Sequence, residues 1–208
     1  MRSIIILIVC CIFFYCSIRL VKRSHQIKKK TINAFFALIS VFFLILFNIF
    51  PLENYFLTFG SAKEAYEFVN LGKSNIEIVV EGDTCDFVVD RKKDSDIYLI
   101  IPKTENGWKT GLGINTKRVF HKTYHGNIVY VYQYKNTNDF FVTVLDSNGG
   151  MSDITDSYNS VFCSLEKTND LLGETFVTYF THITEFNEQY FIVINGEKIE
   201  MKTNIEEK

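Results

Sequence analysis

The stretch "GNIVYVYQYKNTNDFFVTVLD", residues 126–146, decides the fold class of this chain. Its first part, 126–135, alternates with a period of two residues, which is typical of a half-buried β-strand. A second run of aromatic and β-branched residues, 138–146, follows a short polar segment, so we expect the two runs to pair as neighbouring strands. The stretch predicts antiparallel β structure in the middle of the chain.

Similar strand-like runs occur on both sides of this pair, separated by polar turns. These runs are 75–82, 86–91, 96–103, 160–166, 174–184 and 189–201. In the last run, Asn195 and Gly196 stand between apolar arms, which is the strongest short-range hairpin signal. The runs together predict a mainly-β, antiparallel, sandwich-like domain. The sequence leaves open whether the chain splits near 146–153 into two smaller β units.

One short helix is predicted ahead of the strands, at about 62–71. Ser61 is placed to cap its first turn, and Glu64 follows three residues later, as in a capping box. Gly72 is well placed to end the helix. We therefore expect residues 59–208 to form one β-rich domain with a leading helix.

Two strongly apolar stretches, at about 3–21 and 32–50, precede this domain. The second contains 19 uncharged residues, which as a helix reach about 28 Å and nearly match the hydrocarbon core of a bilayer. A cleaved signal peptide is the alternative for the first stretch, but basic residues follow it and no small residues mark a cleavage site. We expect residues 1–58 to form a two-helix transmembrane hairpin.

The loop 19–31 between the two stretches is strongly basic. Its basic residues are Arg19, Lys22, Arg23, Lys28, Lys29 and Lys30. Only Arg2 precedes the first stretch, and only Lys63 lies in the twenty residues after the second. Because short loops rich in Lys and Arg stay in the cytoplasm, the loop is predicted to be cytoplasmic. Residues 59–208 are then extracytoplasmic, and the protein is expected in the cell membrane with two spans.

The charge of the chain is divided in the same way. Residues 1–50 carry seven basic and no acidic groups, whereas residues 51–208 carry the other 15 basic and all 24 acidic groups, a net charge of −9. A domain of this charge is a poor partner for phosphate backbones, so nucleic acid is excluded as a partner. The expected partners are the lipid bilayer and an envelope protein or peptide.

Histidines suggest one alternative that involves chemistry. "FHKTYHG" places His121 and His125 four residues apart, and His182 could supply a third ligand to zinc. This alternative is a metal-dependent extracytoplasmic hydrolase. Surface histidines in a strand-turn region are the ordinary explanation, and no HExxH, paired-cysteine or nucleophile motif is present. No cofactor is predicted, and the sequence favours a protein without catalytic activity.

Two further features leave alternatives open. Cys85 and Cys163 are the two cysteines of the predicted outer domain, where an oxidising exterior permits a disulfide; two free thiols are the alternative. The loop 146–156 offers acidic side chains suited to calcium, but it departs from the EF-hand pattern, so a polar loop is favoured. Its oxygen-bearing candidates are Asp146, Asn148, Asp153 and Asp156.

Four segments carry a resemblance to a known group of proteins. They are "FGSAKEAYEFVN", "VVEGDTCDFVV", "DIYLIIPKTENGWK" and "YFIVINGEKI". The chain resembles small membrane-anchored extracytoplasmic proteins of Gram-positive bacteria over most of residues 59–200. The resemblance implies extracytoplasmic placement and supplies no catalytic residues, since the group has no established activity. The favoured hypothesis is a non-catalytic binding module, sensor-like or immunity-like; the other alternative is a structural subunit of a membrane complex.

Overall fold

The computed structural model describes residues 52–70, 74–92, 96–111, 116–147, 152–169 and 174–201. Within residues 1–50 it describes a set of helical residues: Ile8, Cys11, Ile12, Phe14, Tyr15, Cys16, Ile18, Arg19, Phe35, Leu38, Ile39, Val41 and Phe42. No helix among the described residues is both long and apolar enough to cross a membrane. Most of the two predicted spans, and the basic loop after Arg19, lie outside the described residues.

The rest of the described chain is mainly antiparallel β structure. A 3-10 helix, Leu52–Tyr55, and one α-helix, α1 (Ala62–Val69), come first. The strands are β1 (Ile76–Val80), β2 (Cys85–Arg91), β3 (Asp96–Thr104), β4 (Gly107–Trp108), β5 (Thr116–Tyr124), β6 (Asn127–Tyr134), β7 (Phe140–Asp146), β8 (Ile154–Asp156), β9 (Cys163–Asn169), β10 (Glu174–Ile183), β11 (Phe191–Ile194) and β12 (Glu197–Glu200). The predicted mainly-β fold with one short leading helix is confirmed.

The strands form three sheets, which we call the first, central and third sheets. Their orders are β1-β2-β3-β4, β5-β6-β7-β10-β9 and β12-β11-β8, and all pairs are antiparallel. Strand β7 pairs with β10 from Val177↔Asp146 to Ile183↔Phe140. This pairing joins residues on either side of 146–153 in one sheet, so the chain does not split there.

Helix α1 begins as its sequence predicts. The hydroxyl of Ser61 accepts a hydrogen bond from the Glu64 amide at 3.2 Å, which confirms the cap. The Glu64 carboxylate accepts a hydrogen bond from the amide of Gly60 at 2.9 Å, one residue before the one expected in a capping box. The helix buries Ala65 and Tyr66 against the first sheet. It ends at Val69, slightly before the predicted end; Gly72 lies outside the described residues.

Two hairpins are closed by two-residue turns with positive φ angles. Asn195 and Gly196 have φ angles of 51° and 84° between β11 and β12, which confirms the predicted hairpin. His125 and Gly126 have φ angles of 46° and 81° between β5 and β6. Positive φ at both central residues is characteristic of type I′ turns, whose twist matches that of the flanking strands.

The central sheet buries side chains on both of its faces. The residues in contact with the third sheet on one face include Val129, Val131, Val142 and Val144, packed with Ile192, Ile194 and Ile199. On the other face, Tyr134, Phe141 and Phe180 pack with Phe87, Val89 and Ile100 of the first sheet. The layers are therefore α1, the first sheet, the central sheet and the third sheet. This is one more sheet than a two-sheet sandwich, because the central strands are apolar on both faces.

Candidate functional site

Asp139, just before β7, connects the central sheet to the first sheet. Its side chain is 1% exposed, and it reaches the turn 82–85 between β1 and β2. One carboxylate oxygen, Oδ1, accepts a hydrogen bond from the Asp83 amide at 2.8 Å. The other, Oδ2, accepts bonds from the Thr84 amide at 2.9 Å and from the Thr84 hydroxyl. Residues far apart in sequence are therefore fixed to one another.

Two further side chains complete the shell of donors around Asp139. His182 Nε2 lies 2.6 Å from Asp139 Oδ1, and Cys85 Sγ lies 3.6 Å from Oδ2. Because an ionised carboxylate only accepts hydrogen bonds, His182 Nε2 must carry a proton. We call the set Thr84, Cys85, Asp139 and His182 the polar joint.

The donors of the polar joint favour the ionised form of Asp139. Burial alone would raise the pKa of Asp139, but hydrogen bonds from the Thr84 side chain and the turn amides outweigh it, so the pKa is lowered. Burial raises the pKa of Cys85 well above its ordinary value, and the charge of Asp139 raises it further. The thiol of Cys85 therefore stays protonated next to an ionised carboxylate.

This arrangement is unsuited to nucleophilic or metal chemistry. A reactive cysteine needs a lowered pKa, usually from an adjacent imidazole, and some access to solvent. Cys85 is 0% exposed and faces the carboxylate of Asp139, which lies between it and His182. Five donors also occupy the lone pairs of Asp139 that a metal ion would need. The polar joint fits a structural role between the two sheets.

A second buried carboxylate lies near the same turn. Asp86 accepts a hydrogen bond from Trp108 Nε1 at 2.5 Å and a longer one from the Gly82 amide at 3.4 Å. Burial raises the pKa of Asp86, and these two donors offset only part of that effect. Asp86 and Asp139 are thus perturbed in opposite directions, because Asp139 has more hydrogen-bond donors to offset its burial.

The three predicted zinc ligands are not brought together. His121 is exposed on β5 and stacks on Tyr130 at 4.9 Å, and His125 is exposed in the β5–β6 turn. His182 is on β10, and β6 and β7 lie between β5 and β10. Three strand spacings of about 4.8 Å separate the two strands by about 14 Å, too far for one ion. Among the described residues no group of three or more His, Cys, Asp or Glu could hold a metal ion.

The two cysteines of the domain are free thiols in the structure. Cys85 is buried in the polar joint, whereas Cys163 is exposed on β9 and donates to the carbonyl oxygen of Phe180 at 3.3 Å. The two thiols correspond to the second alternative that the sequence left open. Each sulfur has a different hydrogen-bond acceptor, Asp139 for Cys85 and the Phe180 carbonyl oxygen for Cys163.

The acidic side chains of 146–156 have separate protein partners. Asp146 accepts a hydrogen bond from the Ser152 hydroxyl. Asp156 accepts bonds from the amides of Tyr158 and Ser160, at 3.0 and 2.8 Å, and from the hydroxyl of Tyr190 at 3.0 Å. Asp153 is exposed, and Asn148 lies outside the described residues. The buried carboxylates thus bind protein donors, and their geometry does not favour a calcium site.

A row of partly exposed aromatic rings continues outward from the core between the first and central sheets. Tyr132 lies between buried Phe87, at 5.9 Å, and Tyr130, at 6.0 Å. His121 stacks on Tyr130 at 4.9 Å, and Arg118 lies over the same ring at 5.7 Å. We call Arg118, His121, Tyr130 and Tyr132 the aromatic face. Rings and guanidinium groups of this kind are enriched in protein-binding surfaces.

The segment 52–58, directly after the second apolar stretch, is fixed to the first sheet. The ammonium group of Lys109 donates to the carbonyl oxygens of Asn54 and Leu57, at 2.9 and 2.8 Å, and to the hydroxyl of Thr58 at 2.8 Å. These three bonds use all the donors of that ammonium group.

The side chain of Asn54 adds a second connection to the sheet. Its oxygen accepts from the Thr110 amide at 2.8 Å, and its nitrogen donates to the Thr110 carbonyl oxygen at 3.1 Å. The neighbouring rings of Tyr55 and Phe56 point away from the sheet and are 81% and 87% exposed. A fixed backbone thus holds two large aromatic side chains in solvent.

Sequence reasoning missed Asp139 and Lys109. Their partners lie more than forty positions away along the chain. The only local signal was an acidic residue at the start of an apolar strand, which is also common at exposed strand ends.

Comparison with known proteins does not identify a family for this chain. No protein-family model matches the chain, and no curated protein or solved structure is significantly similar to it. The resemblance noted from the sequence stays a prediction, and the proposals below rest on the residues and their geometry.

Proposed function

We propose that residues 59–208 form an extracytoplasmic binding domain without catalytic activity, held at the cell membrane by two N-terminal spans at about 3–21 and 32–50. The observation that carries the proposal is the pair of exposed aromatic side chains, Tyr55 and Phe56, a few residues after the second apolar stretch. Tyrosine and other aromatic residues are favoured at the interface between bilayer and water.

The fixed backbone of 52–58 supports this placement. Lys109 and Asn54 join the segment to the first sheet, so a bilayer that binds Tyr55 and Phe56 would also orient the β domain. Single exposed aromatic residues are common on the surface of soluble proteins, and they do not require a backbone that is fixed in this way.

The described residues of the two apolar stretches agree with a lipid environment. They are helical, and apolar side chains such as Ile12, Phe35 and Leu38 are 57%, 61% and 72% exposed. Large apolar side chains exposed repeatedly along a helix are unfavourable in water, whereas in lipid they are at no disadvantage.

Binding is favoured over catalysis by how the polar residues of the domain are used. Cys85, Asp139 and His182, which carry the chemically versatile side chains, are engaged with one another in the polar joint. The aromatic face, in contrast, is accessible at the surface. The envelope protein or peptide expected as a partner would bind there.

Topology reporters test the proposal. A reporter active only outside the cytoplasm is fused after Gly60, and in a second chain after Lys29. We expect activity at Gly60 and none at Lys29, because the basic loop 19–31 is predicted to stay inside. The opposite pattern would contradict the proposal and make the acidic domain cytoplasmic.

A matched pair of variants shows whether the loop charges determine the orientation. Replacing Lys28, Lys29 and Lys30 by glutamine is expected to lower the reporter activity at Gly60. Replacing Lys117, Arg118 and Lys122 on β5 by glutamine, with the reporter inserted after Gly60 in the full chain, removes the same number of charges from the domain. It is expected to leave the activity unchanged, because only charges near the spans set orientation.

A further inference from the structure

We infer that the outer edge of β5 accepts an acidic peptide in extended conformation, which pairs with it as an added strand beside the aromatic face. The inference rests on the proposed function, since it names the partner class of the binding domain. Strand addition is a common way for a sheet to recognise a peptide: backbone hydrogen bonds supply affinity and alternate side chains supply specificity.

The edge of β5 is open in the described part of the chain. β5 pairs with β6 on one side, and on the other side no described residue forms a backbone hydrogen bond with it. The two-residue turn makes Tyr124 and Asn127 a hydrogen-bonded pair, so hydrogen-bonded and other pairs alternate from there. The backbone groups of His121 and Thr123 then point away from β6 and are available to a new strand.

The charge of β5 indicates which strand would bind. The strand contains Lys117, Arg118 and Lys122 and no acidic residue, within residues 51–208 whose net charge is −9. Lys117 and Arg118 are exposed, whereas the ammonium group of Lys122 donates to the Glu200 carbonyl oxygen at 3.0 Å. Lys117 and Arg118 are consecutive, so their side chains lie on opposite faces of β5. A carboxylate on the partner strand, on the side of the aromatic face, would form a favourable cross-strand pair with Arg118, and the charge of Lys117 adds to the attraction.

The aromatic face orients one of these cations. The guanidinium of Arg118 lies 5.7 Å from the Tyr130 ring, and His121 stacks on the same ring. A preorganised guanidinium loses less freedom on binding a carboxylate than a mobile side chain does.

The same features exclude unsuitable strands. Basic side chains and a bulge are the usual means by which an edge strand avoids pairing at random. The bulge of β5 lies between Arg118 and Phe120, which leaves 120–124 as a regular run. An uncharged or basic strand would leave Lys117 and Arg118 unpaired or repelled, so an acidic strand is selected.

The test measures binding of short fluorescent peptides to the full chain in detergent micelles, by fluorescence anisotropy. The probe is a peptide of alternating glutamate and threonine; the controls replace glutamate with lysine or methylate alternate backbone nitrogens. We expect saturable binding of the acidic peptide and at least about tenfold weaker binding of both controls. Equal binding of the methylated peptide would overturn strand addition, and no binding of the acidic peptide would overturn the inference altogether.

Variants locate the binding to β5. Thr123→Pro removes an outward amide but no bond to β6, and it is expected to weaken binding at least about tenfold. A double variant, Lys117→Glu with Arg118→Glu, is expected to do the same, whereas Lys63→Glu, at an exposed position of α1, should have no effect. Unchanged binding to the double variant would overturn the inference. If Thr123→Pro does not fold, the methylated peptide provides the same test.

Failure of this inference is separable from failure of the proposed function. Peptide binding is measured on purified protein and does not depend on the compartment, whereas the reporter fusions do not depend on β5. Extracytoplasmic reporter activity without peptide binding would overturn the β5 inference alone.

Discussion

The polar joint and the β5 edge differ in how their polar groups are satisfied. In the joint, Asp139 is almost completely buried, and its oxygens accept hydrogen bonds from Thr84, Cys85 and His182. On β5, Lys117 and Arg118 are exposed, and alternate backbone groups face away from β6. Polar groups that the fold satisfies stabilise the fold, whereas polar groups that face solvent are available to a partner. We therefore assign stability to the joint and recognition to the edge.

The largest expected effect breaks the joint. Asp139→Asn replaces a charged acceptor with an amide, whose N–H groups face the hydrogen-bond donors of the polar joint. These donors then lack a charged acceptor, so we expect a loss of about 3 kcal/mol in the free energy of unfolding. Trp108 is the single tryptophan of the chain, and its indole N–H donates a hydrogen bond to Asp86, near the polar joint. Its fluorescence can therefore be used to follow denaturation by urea. Exposed Asp153→Asn is the control and should change stability little. Equal stability of the two variants would show that the joint is not structural.

The next effect tests the space around the turn. A Cβ on Gly82 would lie 2.4 Å from the Cys85 carbonyl oxygen and 2.9 Å from Asp139 Oδ1. Gly82→Ala is therefore expected to reduce stability by about 2 kcal/mol, since backbone would have to move. Gly60→Ala is the matched control, because its Cβ would meet only the flexible side chain of Glu64. A cost at Gly60 as large as at Gly82 would contradict the tight packing of the turn.

The elements of the fold depend mostly on neighbouring residues, whereas the polar joint depends on residues far apart in the sequence, and this difference explains what the sequence could predict. Local patterns were sufficient for the Ser61 cap, the Asn195–Gly196 turn and the alternating strand β6, because each depends on neighbouring residues. Strand β5 was not predicted as a strand, since Lys, Arg and His interrupt apolar alternation on an edge that faces water. The same charged pattern that obscured the strand is what makes it a binding surface.

The polar joint could not be predicted for a different reason. Asp139 and the turn 82–85 lie in different sheets, and nothing in either segment alone indicates the other. The sequence offers His182 as a zinc ligand, whereas in the fold it hydrogen-bonds Asp139. Contacts of this kind follow from the packing of the first sheet on the central sheet, not from a local motif.

The pH dependence of stability sharpens the comparison within the joint. The pKa of Asp139 is lowered, so its contribution is present above the unfolded value near 3.9 and is lost as pH falls. The pKa of Asp86 is raised, so its contribution is present below about 3.9 and is lost as pH rises through its folded pKa. Each carboxyl group can change stability by at most about 1.4 kcal/mol per pH unit.

Single variants at the two positions should therefore have opposite pH trends. As pH rises from about 3 to about 6, Asp86→Asn should gain stability relative to the native chain, whereas Asp139→Asn should lose it. Urea denaturation at several pH values measures both. The same trend for both variants would contradict the opposite environments assigned to Asp86 and Asp139.

The smallest effect concerns the link to the proposed membrane anchor. Lys109→Met removes three hydrogen bonds to 52–58 and is expected to cost about 1 kcal/mol, because the site is partly exposed. Proteolysis near Tyr55 should become faster while the β domain stays folded. Lys63→Met on α1 is the control and should leave cleavage unchanged, and equal cleavage in both would show that Lys109 does not fix the segment.

The contrast between joint and edge is tested most directly by amide hydrogen exchange on the full chain in micelles, with and without the acidic peptide. The amides of Asp83 and Thr84 donate to Asp139 and are predicted to exchange slowly in both conditions. The amides of His121 and Thr123 are predicted to exchange quickly in the free protein and slowly with peptide bound. Fast exchange at Asp83 and Thr84, or no change at His121 and Thr123 on adding peptide, would contradict the account.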